Sequence, residues 1–267
     1  MGEGKEIAMS LFSDTQVLFV RAVKKLIRTP ILLFFSLFQP IIFLVLFTQL
    51  FSKFGVLLAS EGGFAGVSYL SFATAGIVLQ NGFSSALQSG TSVVDDLTSG
   101  FLEKELVTPV NRAAILLGRL LTDAFRVVVQ SAIILGLAFL LGAQFATGIP
   151  GVLVIFLIVA FFGLAWSGIS LTIGLKTKSA ETVFALGGIL TFPLLFMSSA
   201  LVPTALMPKW MQTVSNLNPI TYAVNAVRAL TLTGFVWTKI LEALGIIGLI
   251  ALITMGATLY LFRKVVS

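Results

Sequence analysis

The chain is a succession of apolar runs, each about as long as a bilayer is thick, and nearly all of its charge sits in the short segments between them. At 1.5 Å of rise per residue, about 20 helical residues cross the ~30 Å hydrocarbon layer. Runs of that kind occur over 31–51, 69–92, 114–142, 152–175, 182–201 and 240–262. Only 10% of the 267 residues are charged and the mean hydropathy is +1.06. A soluble domain carries roughly 25% charge, so there is too little here to coat one or two water-exposed domains. The expected fold is therefore an all-α polytopic membrane protein, one transmembrane domain with six spans.

Orientation follows from the basic residues, which concentrate on the cytoplasmic side of a membrane protein. Lys5, Arg21, Lys24, Lys25, Arg28, Lys104, Arg112, Arg119, Lys176, Lys178, Arg263 and Lys264 fall on one side of the expected spans. Lys53, Lys209, Arg228 and Lys239 fall on the other, and Arg126 lies within the third span. The richer side is cytoplasmic, and an even number of crossings returns the C-terminus to it. No cleavable leader is expected, because residues 1–6 mix acid and base and a long helical pattern follows.

Residues 7–28 have the pattern of an amphipathic interfacial helix. Arg21, Lys24, Lys25 and Arg28 share a face at i, i+3, i+4 and i+7, with Leu11, Leu18, Ala22 and Leu26 around from it. A snorkelling flank of the first span is the alternative, and either lies at the headgroups. The net charge of +6 thus points to anionic lipid rather than nucleic acid. With no Cys and no His, thiol chemistry, Cys/His zinc sites and imidazole relays are excluded.

Two stretches do not fit a plain bundle. The first, 95–112, is cytoplasmic and long enough for a short helix over 101–107, stopped by Pro109. Phe101, Leu102, Leu106 and Val107 are apolar there, among Glu103, Lys104 and Glu105. Such a helix invites a cytoplasmic partner, or serves as a solvated connector. The second stretch is 202–239. Pro203, Pro208 and Trp210 break it, Asn218–Pro219 is a helix start, and the helix that follows over 219–232 is too short to cross. The segment 203–235 reads as a re-entrant pair of helices in the outer leaflet. A seventh span over 220–235 would put Arg263 and Lys264 outside, against the charge rule.

Polar groups within the spans mark a possible route. Asn81, Ser84, Ser85 and Gln88 recur at i, i+3, i+4 and i+7 of the second span, and Thr191, Ser198 and Ser199 are expected to share a face of the fifth. They either bond neighbouring helices or line a path for an amphiphile. Arg119, Asp123 and Arg126 share a face of the third span, as a neutralising network near its cytoplasmic end. No carboxylate is expected at mid-span, which weighs against an ion-gradient-driven carrier. A non-transporting scaffold is the other alternative. No nucleophile–base or paired-carboxylate set favours an enzyme.

The stretch from Glu103 to Arg112, together with Asn218-Pro-Ile-Thr-Tyr222 and Arg228 ahead of the last span, resembles the permease subunits of type-2 ATP-binding-cassette exporters of the drug-resistance and nodulation-export kind. Almost the whole chain shares that order of elements, with Gly100-Phe-Leu standing where the family often has Gly-Thr-Leu. The resemblance implies that Glu103, Lys104, Glu105, Leu106, Thr108, Pro109 and Arg112 form or flank a coupling helix docked on an ATP-binding-cassette ATPase subunit. It also implies that Asn218, Pro219, Tyr222 and Arg228 belong to an outer gate, and that the chain works as a homodimer or with a paired permease subunit. The sequence has no G-x-x-x-x-G-K-[ST] loop. No cofactor is therefore expected on this chain, and ATP and magnesium are expected on the partner.

Overall fold

The computed structural model describes residues 3–50, 69–107 and 110–266, and among them the regular structure is entirely helical. In chain order the helices are α1 (Glu3–Arg28), α2 (Pro30–Leu50), α3 (Tyr69–Thr98), α4 (Phe101–Leu106), α5 (Arg112–Leu140) and α6 (Gly148–Thr177). There follow α7 (Ala180–Phe196), a 3-10 turn (Thr204–Leu206), α8 (Lys209–Leu217), α9 (Pro219–Leu232) and α10 (Trp237–Val266). Among the described residues three helices are long and apolar enough to cross a membrane: Arg112–Leu140, Gly148–Thr177 and Trp237–Lys264. Phe34–Leu50 and Ala180–Phe196 are shorter apolar helices. The expected loop over 53–66, Thr108 and Pro109 lie outside the described residues.

α3 and α6 form the axis of the bundle. α3 is 30 residues long and buried along most of its length, packed by α2, α5, α6, α7 and α9. Its glycines let α6 come close: a Cβ on Gly174 would stand 2.6 Å from the carbonyl oxygen of Gly90. Small residues give lipid-embedded helices this dispersion contact, which the hydrophobic effect cannot supply there. Lower on the same seam, Phe83 meets Phe162 and Trp166 edge-on at 5.0 and 4.9 Å, and those two stack at 4.4 Å.

One end of the bundle gathers elements distant in sequence. A buried cluster joins Val94 of α3, Leu102 of α4, Leu116 of α5, Leu175 of α6, Val183 of α7 and Phe262 of α10, with Leu18 of α1 against it. α1 lies along α5, where Phe19 meets Phe125 edge-on at 5.8 Å. The Asp14 carboxylate accepts from the backbone N–H of Asn111, and the Asn111 side chain caps α5 by accepting from Ala113 N. The opposite end is closed by α9, whose C-terminal carbonyls accept from Thr147 Oγ1 (2.7 Å, Leu230) and Ala146 N (2.9 Å, Thr231).

The helix expected over 182–201 stops at Phe196. Pro193 lacks the N–H that would bond back to Ile189 O in the preceding turn. The Ser198 hydroxyl then donates to Leu195 O and accepts from Ala200 N, which closes a turn in place of further helix. Ser198 and Ser199 thus lie beyond α7 and do not continue the face of Thr191, a correction to the sequence reading.

Candidate functional site

The polar stripe of α3 is divided among three neighbours. Asn81, 1% exposed, donates through Nδ2 to Gln130 Oε1 (3.1 Å), and Gln130 Nε2 donates to Ser36 Oγ (2.7 Å). That chain ties α3, α5 and α2 together, so Asn81 serves a helix interface. Ser85 is buried, and its hydroxyl has no hydrogen-bond partner among the described residues. Ser84 and Thr191 instead face a gap of about 250 Å³ between α2, α3 and α7, together with Gln39 and Gln80. Beside it both flanking helices expose aromatic rings, Phe35 and Phe38 on α2, Phe184 and Phe192 on α7.

Gln88 faces a separate cavity of about 410 Å³ at the end of the bundle where α1 turns into α2. Its Oε1 accepts from Arg126 Nη1 at 3.2 Å. Arg126 Nη2 also stands 3.6 Å from Asp123 Oδ1, and the Ser89 hydroxyl donates to the other oxygen of Asp123. Of the three charges of α5, Asp123 and Arg126 pair as expected, whereas Arg119 pairs with Asp96 of α3. Gln130 completes the face at i, i+4, i+7 and i+11 from Arg119, a periodicity present in the sequence and passed over there. Ser36, Ser89 and Asp96 carry no comparable signal.

α4 sits on the same end. Leu102 is 3% exposed within the core cluster, while Phe101, Lys104 and Val107 face outward. Glu105 meets Arg21 of α1 at 3.6 Å, and Arg21 lies 6.0 Å from the Phe101 ring. Burial pushes the Glu105 carboxyl above its usual range, against the opposing pull of Arg21 and Lys25. Arg112 opens α5 and is exposed, and Glu103 and Leu106 lie on α4 itself.

The segment expected to be a re-entrant pair consists of the 3-10 turn, α8 and α9. Asn218 caps α9 by accepting from Ile220 N (3.0 Å) and donates to Leu194 O of α7 (2.6 Å), with Pro219 at the first helical position. The Tyr222 hydroxyl donates back to Asn216 O at 2.8 Å. Arg228, 4% exposed, donates to Ser199 O (2.7 Å) and Ala200 O (3.2 Å), and its guanidinium lies 3.6 Å from the Phe72 ring centroid. Ser199 donates to Asn225, so α9 grips the turn that follows α7 by three bonds. Among the described residues no group of His, Cys, Asp and Glu could hold a metal.

The arrangement has binding surfaces and mechanical joints. The model of the ABC-2 type transporter family matches residues 13–232. The chain is 33% identical over 212 residues to the daunorubicin resistance ABC transporter permease protein DrrB1 of Streptomyces coeruleorubidus, covering 79% of this chain and 72% of that one. It is 27% identical over 237 residues to the "Probable doxorubicin resistance ABC transporter permease protein DrrC" of Mycobacterium tuberculosis, covering 86% and 82%.

Proposed function

We propose that this chain, which belongs to the ABC-2 type transporter family and is the membrane permease subunit of an ABC exporter, carries an amphipathic, drug-like or lipid-linked substrate outward by alternating access. Its partner is an ATP-binding-cassette ATPase subunit, and in this family ATP hydrolysis belongs to that separate subunit. ATP and magnesium would then be bound there and none by this chain.

In this reading α2, α3, α5, α6, α7 and α10 are the six spans, both termini are cytoplasmic, and α1 lies in the cytoplasmic headgroup layer. α4 is the coupling helix, with Thr108, Pro109 and Arg112 on its exit. The 3-10 turn, α8 and α9 form the outer gate. A second permease subunit, identical or paired, covers the gap between α2 and α7, where Ser84 and Thr191 would meet the substrate. The exposed rings beside that gap suit either lipid or the second subunit.

The observation that carries the reading is the seat of α4. Leu102 is 3% exposed in a buried cluster to which α3, α5, α6, α7 and α10 also contribute side chains, and α4 packs against α3, so a push on α4 reaches the bundle through that cluster. A solvated connector has no reason to bury a leucine in that position. Replacing the outward pair, Lys104→Glu with Val107→Glu, should lower co-purification with the ATPase and ATP-driven transport at least tenfold while the folded chain persists. Transport at wild-type level in that variant would remove α4 from the coupling path. Transport that stops with the ion gradient while ATP is maintained would favour the gradient-driven carrier instead.

A further inference from the structure

α7 is fastened to the bundle unevenly. Of its 17 residues only Val183, Gly187 and Leu195 are buried. Near its start, Val183 belongs to the buried cluster that also holds Leu102 of α4. Further along come Gly187-Gly188 and Pro193, residue types at which helices bend. A Cβ on Gly188 would meet nothing closer than Phe192 of the same helix, at 3.9 Å, so no tight packing fixes α7 at that point.

The turn after α7 is seated far more closely. Ala200 is 0% exposed, and a Cβ on Gly76 of α3 would stand 2.4 Å from Ala200 O and 2.9 Å from its carbonyl carbon. Those are backbone atoms, which cannot rotate out of the way as the tip of a side chain can, so any larger residue at 76 displaces the turn. From the other side Arg228 donates to the same Ala200 O at 3.2 Å and to Ser199 O at 2.7 Å, and the Ser199 hydroxyl donates to Asn225 at 2.9 Å. The turn lies in a notch of α3 with α9 as its keeper.

Of the two sides of this contact, α9 is the fixed one. Ten of its 14 residues are buried, and its last carbonyls accept from Thr147 and Ala146 in the connection between α5 and α6. Moving α9 would expose a buried helix, whereas moving the turn breaks a few polar bonds, including that from Asn218 to Leu194 O. Thr191 and Phe192, which line the gap between α2, α3 and α7, lie between the two glycines and the notch. Freeing the turn therefore moves one wall of that gap.

We propose that Gly76 is a positioning residue for export, forming the notch in which the turn over 197–202 is latched by Arg228, and that release of this turn, with α7 bending at Gly187-Gly188, opens the outer end of the pathway. The proposal rests on the exporter reading above and names the contact of its outer gate that breaks.

The chain has no cysteine, so Ala200→Cys reports the latch by its rate of reaction with a water-soluble maleimide. The measurement uses the full chain with its ATPase in nanodiscs. Labelling should be slow without nucleotide and about tenfold faster during ATP turnover. In that background Gly76→Ala should label roughly tenfold faster without nucleotide and lose the response to ATP. Gly174→Ala is the control, because it crowds a backbone carbonyl to 2.6 Å in the α3–α6 seam. It should lower the unfolding temperature yet keep slow, ATP-dependent labelling, which a merely structural role for Gly76 would match. Asn225→Ala removes one bond of the latch without crowding and should label about fivefold faster without nucleotide. It decides the matter if Gly76→Ala does not accumulate.

Slow labelling in Asn225→Ala or in a folded Gly76→Ala overturns the latch, and so does equal acceleration in Gly174→Ala. ATP-driven transport in proteoliposomes with Ala200→Cys labelling unchanged by ATP also overturns it, and the exporter reading then stands without it. If the variants label fast as expected but ATP drives no transport, the exporter reading fails and the seat of the turn at Gly76 stands.

Discussion

At the end of α3 that meets α9, one buried arginine bonds backbone carbonyls; toward the other end, about 24 Å along the helix from Phe72 to Gln88, two arginines bond side chains. Arg228 gives Nη2 to two backbone carbonyls and lays its guanidinium over Phe72. Arg119 and Arg126 each use part of their fork on a carboxylate and line a cavity of about 410 Å³, and each of the three arginines keeps one buried nitrogen without a partner. The residue type is the same in both places, but Arg228 is 4% exposed and the Arg119 and Arg126 side chains are 20% exposed. What differs is whether the donors close on backbone carbonyls or on the side chains of a neighbouring helix. The first arrangement is a clamp on the turn that follows α7, and the second ties α5 to α3.

The comparison makes its largest prediction at Arg228. Arg228→Leu leaves the carbonyls of Ser199 and Ala200 without their charged donor, and such bonds contribute about 1.5–3 kcal/mol each. The loss of the contact with Phe72 adds up to about 2 kcal/mol. The variant should unfold at a markedly lower temperature, or fail to accumulate, and protease should cut the turn over 197–202 first. Arg228→Lys should recover only part of the stability, since an ammonium has donors for both carbonyls but lacks the planar face that lies over Phe72. A stable Arg228→Leu protein with weakened substrate binding would invert the comparison and make α9 a binding element.

The stripe on α3 tests the same distinction with smaller effects. Asn81→Leu removes the link through Gln130 to Ser36 and should cost about 1 kcal/mol, within the range for hydrogen bonds between membrane helices, with substrate preference intact. Ser84→Leu should do the reverse, shifting the ratio of transported substrates with little change in unfolding temperature. Equal behaviour of the two variants would mean that the stripe is one surface after all.

Periodicity in the sequence placed Asn81, Ser84, Ser85 and Gln88 on one arc of a helix, and that arc exists. It could not say that α5 covers one edge, that α2 and α7 leave a gap at the middle, or that Arg126 reaches the far end. Those depend on which helices meet, and hydrophobic residues alone look alike to every neighbour. Capping chemistry was more legible, because Asn218–Pro219 satisfies its own first turn within a few residues. The stop at Phe196 was less so. It depends on Ser198 turning back on Leu195 and on Arg228 arriving from α9, and the second of these is a contact across 29 residues of sequence. The surface helix and α4 could be drawn separately from their patterns, but the pairing of Arg21 with Glu105 is a tertiary fact.

That pairing gives the smallest effect and a sign that separates burial from charge. The Glu105 carboxyl is held above its ordinary value of 4.5 because burial outweighs the attraction of Arg21 and Lys25. The folded chain therefore holds this proton more tightly than the unfolded chain. Below the unfolded value both states are protonated, and the advantage to folding is complete. As pH rises from there through the raised folded value, the proton is lost and the advantage goes with it. Glu105→Gln keeps a neutral side chain throughout, so its unfolding temperature should gain on the wild type as pH climbs above 4.5 and then level off. If the wild type gains on Glu105→Gln instead, the ion pair with Arg21 dominates, and α1 holds α4 by charge in the way that Arg228 holds α7.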